Sequence, residues 1–272
     1  MSVGVRSVWS RIGIALAAGA AIGMAAVPAG SAASKYPGDQ GRTWAQIAKL
    51  PNWQGIWQLD WEHDLRLLGG MSPEHDLTPK AKALYTSFMS KQKFGEDVAP
   101  QTANCLPPGM PQIMTQPYPI EFLFNPGKVV ILIEAYEQER TIYTDGRKHP
   151  AADVLMPTFQ GNSIGHWDGD TLVVDTVGVL PNTGPGPHTG AGIASGVPHD
   201  ASMHIIERIR MVDKNHMLIT RTIIDPKVLV KPWTVTLPYV RDKGDLLEYI
   251  CEEGNRDSAT SNGQAGERIG GL

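Results

Sequence analysis

The sequence lacks the motifs by which proteins commonly bind nucleotides. It has no phosphate-cradling loop, no dinucleotide fingerprint and no Gly-x-Ser-x-Gly elbow between a strand and a helix. The glycines from Gly184 to Gly192 do not lie between a strand and a helix either, so they predict a long loop. We therefore expect no nucleotide and no other cofactor.

Long hydrophobic runs are also scarce. The run Ile12–Val27 follows Arg6 and Arg11 and leads into small residues that end at Ala33. It is short for a hydrocarbon core of about 30 Å, so residues 1–33 predict a secretory signal peptide rather than a membrane anchor. We expect an exported protein, periplasmic or secreted, with no stable membrane span after cleavage.

Basic residues are not in excess. Removal of residues 1–33 takes two arginines from the 24 Lys and Arg, which leaves 22 against 28 Asp and Glu and a formal charge of −6. A nucleic-acid interface needs clustered Lys and Arg, so we expect no nucleic-acid partner. The composition does not indicate an oligomeric state.

Only two cysteines are present, Cys105 and Cys251. An oxidising compartment favours their pairing. We expect a disulfide bond between them, and two buried free thiols are the alternative.

The remaining chain predicts one domain over residues 50–257, after an N-terminal extension (34–49) and before a disordered tail (258–272). Thr78 is a good N-cap, Pro79 suits the first helical position, and an apolar stripe follows, which predicts one helix over 79–90. Trp53 and Trp57 are expected to anchor the core.

Strand signals dominate from Glu121 onward, with β-branched and alternating segments separated by short polar turns. About nine strands in this order predict an all-β fold, a meandering antiparallel barrel with a lipocalin-like plan, because closure removes exposed strand edges. A two-sheet sandwich is the alternative. The last of these strands is expected over Leu246–Cys251.

The segment Met203–Val212 reads as a strand with period two. Glu207 falls on its apolar face, whereas His204 falls on the other face. A buried carboxylate is costly unless it is paired, so we expect either a partner cation or a functional site at Glu207.

Four motifs together resemble a widespread family of uncharacterised exported bacterial proteins. They are Cys-Leu-Pro-Pro-Gly-Met-Pro from Cys105, Tyr-Thr-Asp-Gly-Arg from Tyr143 with His149-Pro150, Gly169-Asp-Thr-Leu-Val-Val-Asp-Thr176 and Leu247-Glu-Tyr-Ile-Cys251. The resemblance implies export and brings no activity with it.

Candidate catalytic residues are ionisable side chains near strand ends, where a proton donor, an anion clamp and a base could meet. They are His199, Asp145, Tyr143, Arg147, Glu207 and His149. In this hypothesis His199, Asp145 and Arg147 converge on one pocket. The alternative for Asp145-Gly146 is an ordinary turn.

Candidate substrate-binding residues are Glu134, His204, Trp167 and Met203. A weaker alternative is a metal site formed by His188, His199 and His204, although their spacing matches no common ligand pattern.

Two functions from different classes fit this sequence. The first is an exported enzyme that uses acid–base chemistry on a hydrophobic or aromatic small molecule, as a lyase, isomerase, dehydratase or hydrolase. The second is a carrier that binds an apolar ligand without catalysis.

Overall fold

The computed structural model describes residues 41–60, 73–93, 105–181, 193–194 and 196–254, together with the pairs 258–259 and 265–266. The predicted signal peptide lies outside the described residues, as does His188. No helix among the described residues is long and apolar enough to cross a bilayer.

The described elements are mostly strands, with three short or medium helices. The helices are α1 (Trp44–Ile47), α2 (Pro79–Lys93) and α3 (Cys251–Gly254). The barrel strands are β1 (Ile56–Leu59), β2 (Ile120–Asn125), β3 (Lys128–Ile133), β4 (Gln138–Tyr143), β5 (Asn162–Asp168), β6 (Thr171–Val177), β7 (His204–Met211), β8 (His216–Ile224) and β9 (Trp233–Arg241). A short ladder in the predicted tail pairs β10 (Ser258–Ala259) with β11 (Ala265–Gly266).

Within the described part of the chain, β1 to β9 form a closed barrel in sequence order. The pairing of Trp57 with Arg241 joins β1 to β9 and closes the barrel. The predicted barrel is confirmed, and the sandwich is not formed. One pair departs from the meander, because β4 and β5 run parallel.

The parallel pair requires a connection that returns along the barrel. Residues 144–161 form this crossover between the end of β4 and the start of β5. A parallel pair cannot be joined by a tight hairpin, so the crossover brings residues after Tyr143 back over the strands.

Buried side chains line the interior of the barrel. Alternation directs one face of each strand inward, as in β8, where every second residue is buried. The segment around Met110 and Met114 also enters the core, and both side chains are buried. Tyr239 donates a hydrogen bond to the carbonyl of Met114 at 2.5 Å, which holds the segment inside. The proline-rich motif after Cys105 therefore acts as a plug.

The local predictions at the N-terminal half are confirmed. Trp53 and Trp57 are buried at 1% and 0% exposure. Helix α2 begins at Pro79, and the Thr78 hydroxyl accepts a hydrogen bond from the amide of Ala81 at 3.4 Å. The helix ends at Lys93 rather than at residue 90.

The strand predicted over Leu246–Cys251 is wrong. Residues 246–250 have no regular structure, and helix α3 begins at Cys251. The edge of β9 is already occupied by β1, so no strand edge remains for this segment to join. The amide of Leu247 instead donates to the carboxylate of Glu134 at 2.8 Å.

Cys105 and Cys251 form the expected disulfide bond. It ties the start of the plug to α3. A disulfide is typical of an oxidising compartment.

Candidate functional site

Two histidines share one carboxylate oxygen on the outer face of the barrel. Nε2 of His204 lies 2.6 Å from Oδ1 of Asp175, and Nε2 of His149 lies 3.1 Å from the same oxygen. Nδ1 of His149 also lies 2.7 Å from Oδ1 of Asn162. We call these four residues the outer-face cluster.

The strand pattern and the crossover together place this cluster. In β6, Val174 and Thr176 point into the barrel, so Asp175 between them points outward. His204 begins β7, beside β6, and faces outward next to Asp175. The crossover then lays His149 over these strands from the outside.

The cluster is partly shielded from solvent. The side chain of His149 is 19% exposed, and those of His204 and Asp175 are 35% and 38% exposed. A carboxylate that hydrogen-bonds one ring nitrogen fixes the orientation of an imidazole. Asp175 does so for two rings at once, which suits an acid–base pair that is open to a small molecule.

A second cluster lies where β4 ends. Arg147 forms an ion pair with Asp145 at 2.5 Å, and its guanidinium lies 3.8 Å from the ring centroid of Tyr143. The hydrogen bonds from Arg147 hold the pKa of the Asp145 carboxyl below its ordinary value of 3.8, although burial opposes this. The predicted grouping of Tyr143, Asp145 and Arg147 is therefore present as an ion pair stacked on a ring.

Replacing Arg147 with methionine tests this ion pair through its pH dependence. Because the folded-state pKa of Asp145 is lowered, the ionised pair stabilises the fold above about pH 4 and stops doing so as the pH falls through the folded-state pKa. We expect a loss of about 1 kcal/mol near neutral pH, and the pH-dependent part of that loss disappears in acid. Urea unfolding at a series of pH values measures the difference.

Arg208→Met is the matched control, because its ion pair with Asp168 joins two exposed side chains. It should leave the unfolding curves nearly unchanged. A difference between wild type and Arg147→Met that does not vary with pH would contradict the assigned role of the carboxylate.

The predicted convergence of His199 with Asp145 and Arg147 does not occur. Asp145 follows β4 at the end of the barrel that holds the β2–β3 turn. His199 precedes β7 at the opposite end, where the next residue, Asp200, donates its amide to Asp225 at 2.7 Å. Antiparallel neighbours reverse direction at each turn, so these loops emerge at different ends.

His199 itself is fully buried, and its Nδ1 lies 3.3 Å from the carbonyl oxygen of Asp200. Beside it, Asp200 forms an ion pair with Lys227 at 2.8 Å. Burial raises the pKa of Asp225 in this region. These contacts tie the loop before β7 to the β8–β9 turn.

Glu207 points into the barrel, as its position on the apolar face predicted. It is 0% exposed, and Arg140 contacts it at 2.5 Å. His204 and Glu207 lie on opposite faces of β7, so they do not share a site.

The other predicted binding residues are scattered. Trp167 packs edge-on against Trp53 at a centroid distance of 5.7 Å, with the Arg42 guanidinium 4.9 Å from its ring centroid. Met203 is buried at 1% exposure. Glu134 binds the backbone at Leu247. Only His204 belongs to the outer-face cluster.

No group of three or more His, Cys, Asp or Glu side chains within the described ranges could hold a metal ion. The two described residues of the metal alternative also differ in environment, because His199 is buried and His204 faces outward on β7.

The spacing Gly-x-Ser-x-Gly does occur at Gly161–Gly165, but not as an elbow. Ser163 lies inside β5, is 1% exposed and makes a 2.8 Å hydrogen bond with Thr176. An elbow nucleophile must lie at an exposed turn from a strand into a helix. Ser163 is instead a buried hydrogen-bonding residue of the core.

Two hollows lie beside the β3–β4 turn. One has a volume of about 250 Å³ and is lined by residues that include Tyr136, Tyr249 and the disulfide. The other, of about 330 Å³, is lined by residues that include Leu132, Glu134 and Leu247. Both are open to solvent.

Sequence reasoning missed Asp175, Asn162 and Arg140. Asp175 could have been recognised from the sequence, since it is the one charged residue in the strand Thr171–Val177. Arg140 could also have been recognised, because it lies two positions before the apolar Ile142 in an alternating strand and so shares its inward face.

Comparisons with known proteins leave the family open. No family model matches the chain, and no curated protein matches it. Among solved structures, a mutant of the fluorescent protein UnaG is similar over 70% of this chain and 96% of its own, with 10% sequence identity and a TM-score of 0.30. The strand pairing among the described residues defines the class: a closed β-barrel protein in which one pair of neighbouring strands, β4 and β5, is parallel.

Proposed function

We propose that this protein is an exported enzyme that catalyses proton transfer on a hydrophobic or aromatic small molecule without a cofactor. The outer-face cluster is the acid–base site. The observation that carries this proposal is the pair of imidazoles on one oxygen of Asp175, at 2.6 and 3.1 Å. His204 acts as the base, Asp175 orients it, and His149, whose two ring nitrogens contact Asp175 and Asn162, holds the carboxylate in place.

The origin of the residues distinguishes this cluster from an incidental surface pair. His149, Asp175 and His204 come from three separate elements, and Asn162 fixes His149 from a fourth. By contrast, His216 binds Asp213 only three residues away, within one turn. Two imidazoles from distant segments on one shared oxygen resemble a catalytic base with its orienting group more than a turn contact.

The preference for a hydrophobic substrate rests on the crossover. The same connection that carries His149 exposes Val154 at 67% and Met156 at 81%. Contiguous exposed apolar patches are typical of binding surfaces, and we propose that Val154 and Met156 form part of one. Export is proposed from the apolar run at Ile12–Val27, and the disulfide supports an oxidising destination.

A generic probe of a positioned base tests the proposal before a substrate is known. Nitrobenzisoxazole loses its ring C–H proton to a base as its N–O bond breaks, which gives a coloured cyanonitrophenolate. We expect turnover by the wild type and a loss of about a hundredfold in Asp175→Asn, since an oriented general base contributes about 10²–10⁴ in rate. Absorbance of the phenolate measures the rate.

Asp213→Asn is the matched control, because it removes the carboxylate partner of an exposed histidine outside the cluster. The rate of phenolate formation should fall in His204→Gln as it does in Asp175→Asn. The rate in Asp213→Asn should equal that of the wild type. Equal rates in all four proteins would overturn the assignment of the cluster.

The carrier function is the second candidate, and the two hollows favour it. One is lined by Leu132, Ile133 and Leu247, and the other by residues that include Tyr136 and Tyr249. Native mass spectrometry of protein purified from its own host should then show a bound apolar molecule. Leu247→Glu should release it, whereas Val212→Glu, at an exposed residue in a distant turn, should not.

A further inference from the structure

Three charged side chains meet inside the barrel. Arg140 from β4, Glu207 from β7 and Arg221 from β8 are exposed by only 1%, 0% and 1%. Glu207 lies opposite Arg221 in the β7–β8 ladder and contacts Arg140 at 2.5 Å. We call these three residues the interior charge centre, and it is separate from the outer-face cluster.

The centre is only partly satisfied by the surrounding protein. Arg140 donates to Thr176 at 2.9 Å and to Ser163 at 3.3 Å. Arg221 donates to the carbonyl of Pro111 in the plug at 2.7 Å. Within the described residues, Nη1 of Arg140, Nε of Arg221 and Oε1 of Glu207 have no hydrogen-bond partner.

The charges do not balance either. Two guanidinium groups face one carboxylate, which leaves one positive charge in a buried site. Burial lowers the pKa of Arg221, and the Glu207 carboxylate opposes this. An unpaired buried charge is strongly unfavourable, and each buried polar atom without a partner adds to the cost.

The three unpartnered atoms define the chemistry of what would complete the centre. Two of them are N–H donors on cations, and such donors form their strongest hydrogen bonds with a negatively charged acceptor. The third is a carboxylate oxygen, so it requires a donor. A small oxyanion with one hydroxyl group supplies both.

We propose that the interior charge centre binds a small monovalent oxyanion with one hydroxyl group, of which hydrogencarbonate is the smallest example. Its charged oxygens accept from Arg140 Nη1 and Arg221 Nε, and its hydroxyl donates to Glu207 Oε1. The bound anion neutralises the centre behind the plug.

Equilibrium unfolding in urea tests this binding without requiring access to the folded interior, because the ligand rebinds as the chain folds. Hydrogencarbonate, formate and gluconate are compared at the same pH and ionic strength. Formate has the charge but no hydroxyl group, and gluconate has the charge and hydroxyl groups on a much larger molecule. We expect the folding equilibrium constant to rise up to about tenfold for each tenfold rise in hydrogencarbonate above its Kd, to rise less with formate, and to stay unchanged with gluconate.

Arg221→Met should abolish the difference between hydrogencarbonate and gluconate. Arg208→Met, which removes an exposed arginine of β7, should retain it. If Arg221→Met does not fold, the carbon NMR signal of isotopically labelled hydrogencarbonate in the presence of the wild type decides, and we expect it to broaden or shift. Equal stabilisation by hydrogencarbonate and gluconate, equal stabilisation by hydrogencarbonate and formate, or an unchanged NMR signal would overturn the proposal.

Discussion

Glu207→Gln lowers the free energy of unfolding by about 3–5 kcal/mol, because it leaves two buried guanidinium groups without their counter-ion. The side chain keeps its shape, so the change does not open a cavity. The partner of Arg140 at 2.5 Å is then a neutral amide. Arg221 loses the nearby carboxylate that counteracts the effect of burial on its pKa. Urea unfolding in buffer free of hydrogencarbonate measures the effect.

Glu139→Gln provides the control for this change. Glu139 precedes Arg140 in β4 and points outward, where it is exposed. The same chemical substitution there should alter stability by no more than about 0.5 kcal/mol. A loss below about 1 kcal/mol in Glu207→Gln would contradict the buried ion pair as the main counter-charge of the interior.

The features predicted correctly from the sequence are those that local patterns control. Alternation with period two placed Glu207 inside and His204 outside, since the two faces of a strand differ at every step. The Thr78 cap and the start of helix α2 depend on a few adjacent residues. The order of several strands follows from the short turns that join them, and closure was expected because it removes exposed strand edges.

The composition of the site could not be predicted in the same way. His149 reaches Asp175 and His204 only because the crossover after β4 returns along the barrel, and the antiparallel meander expected from the turns contains no such return. The same assumption placed His199 near Asp145, although strand directions put them at opposite ends. Contacts between distant segments depend on pairing order, which a single sequence does not encode locally.

The failed strand at Leu246–Cys251 has a related cause. Its apolar residues suit a strand, and Leu247 is in fact 70% exposed. Barrel closure through β1 removed the edge that this segment would have joined. The position of Cys251 is therefore fixed by its disulfide bond with Cys105 rather than by strand pairing.

Replacing both cysteines with serine lowers the free energy of unfolding by about 5 kcal/mol, because the disulfide closes a loop of 146 residues and so removes conformational entropy from the unfolded chain. For a domain of this size we expect a fall in Tm of roughly 10–20 °C. Calorimetry of the wild type with and without reductant, beside the double variant, measures the loss.

The double variant also controls for effects of the reductant itself. It has no disulfide bond to reduce, so the reductant should not change its Tm. Reduced wild type and double variant should unfold together, and the urea dependence of unfolding should steepen in both because the freed chain exposes more surface. A Tm that falls by less than a few degrees would mean that the unfolded chain already holds residues 105 and 251 close together. In that case the core contacts of Met110 and Met114 would hold the plug in place without the covalent link.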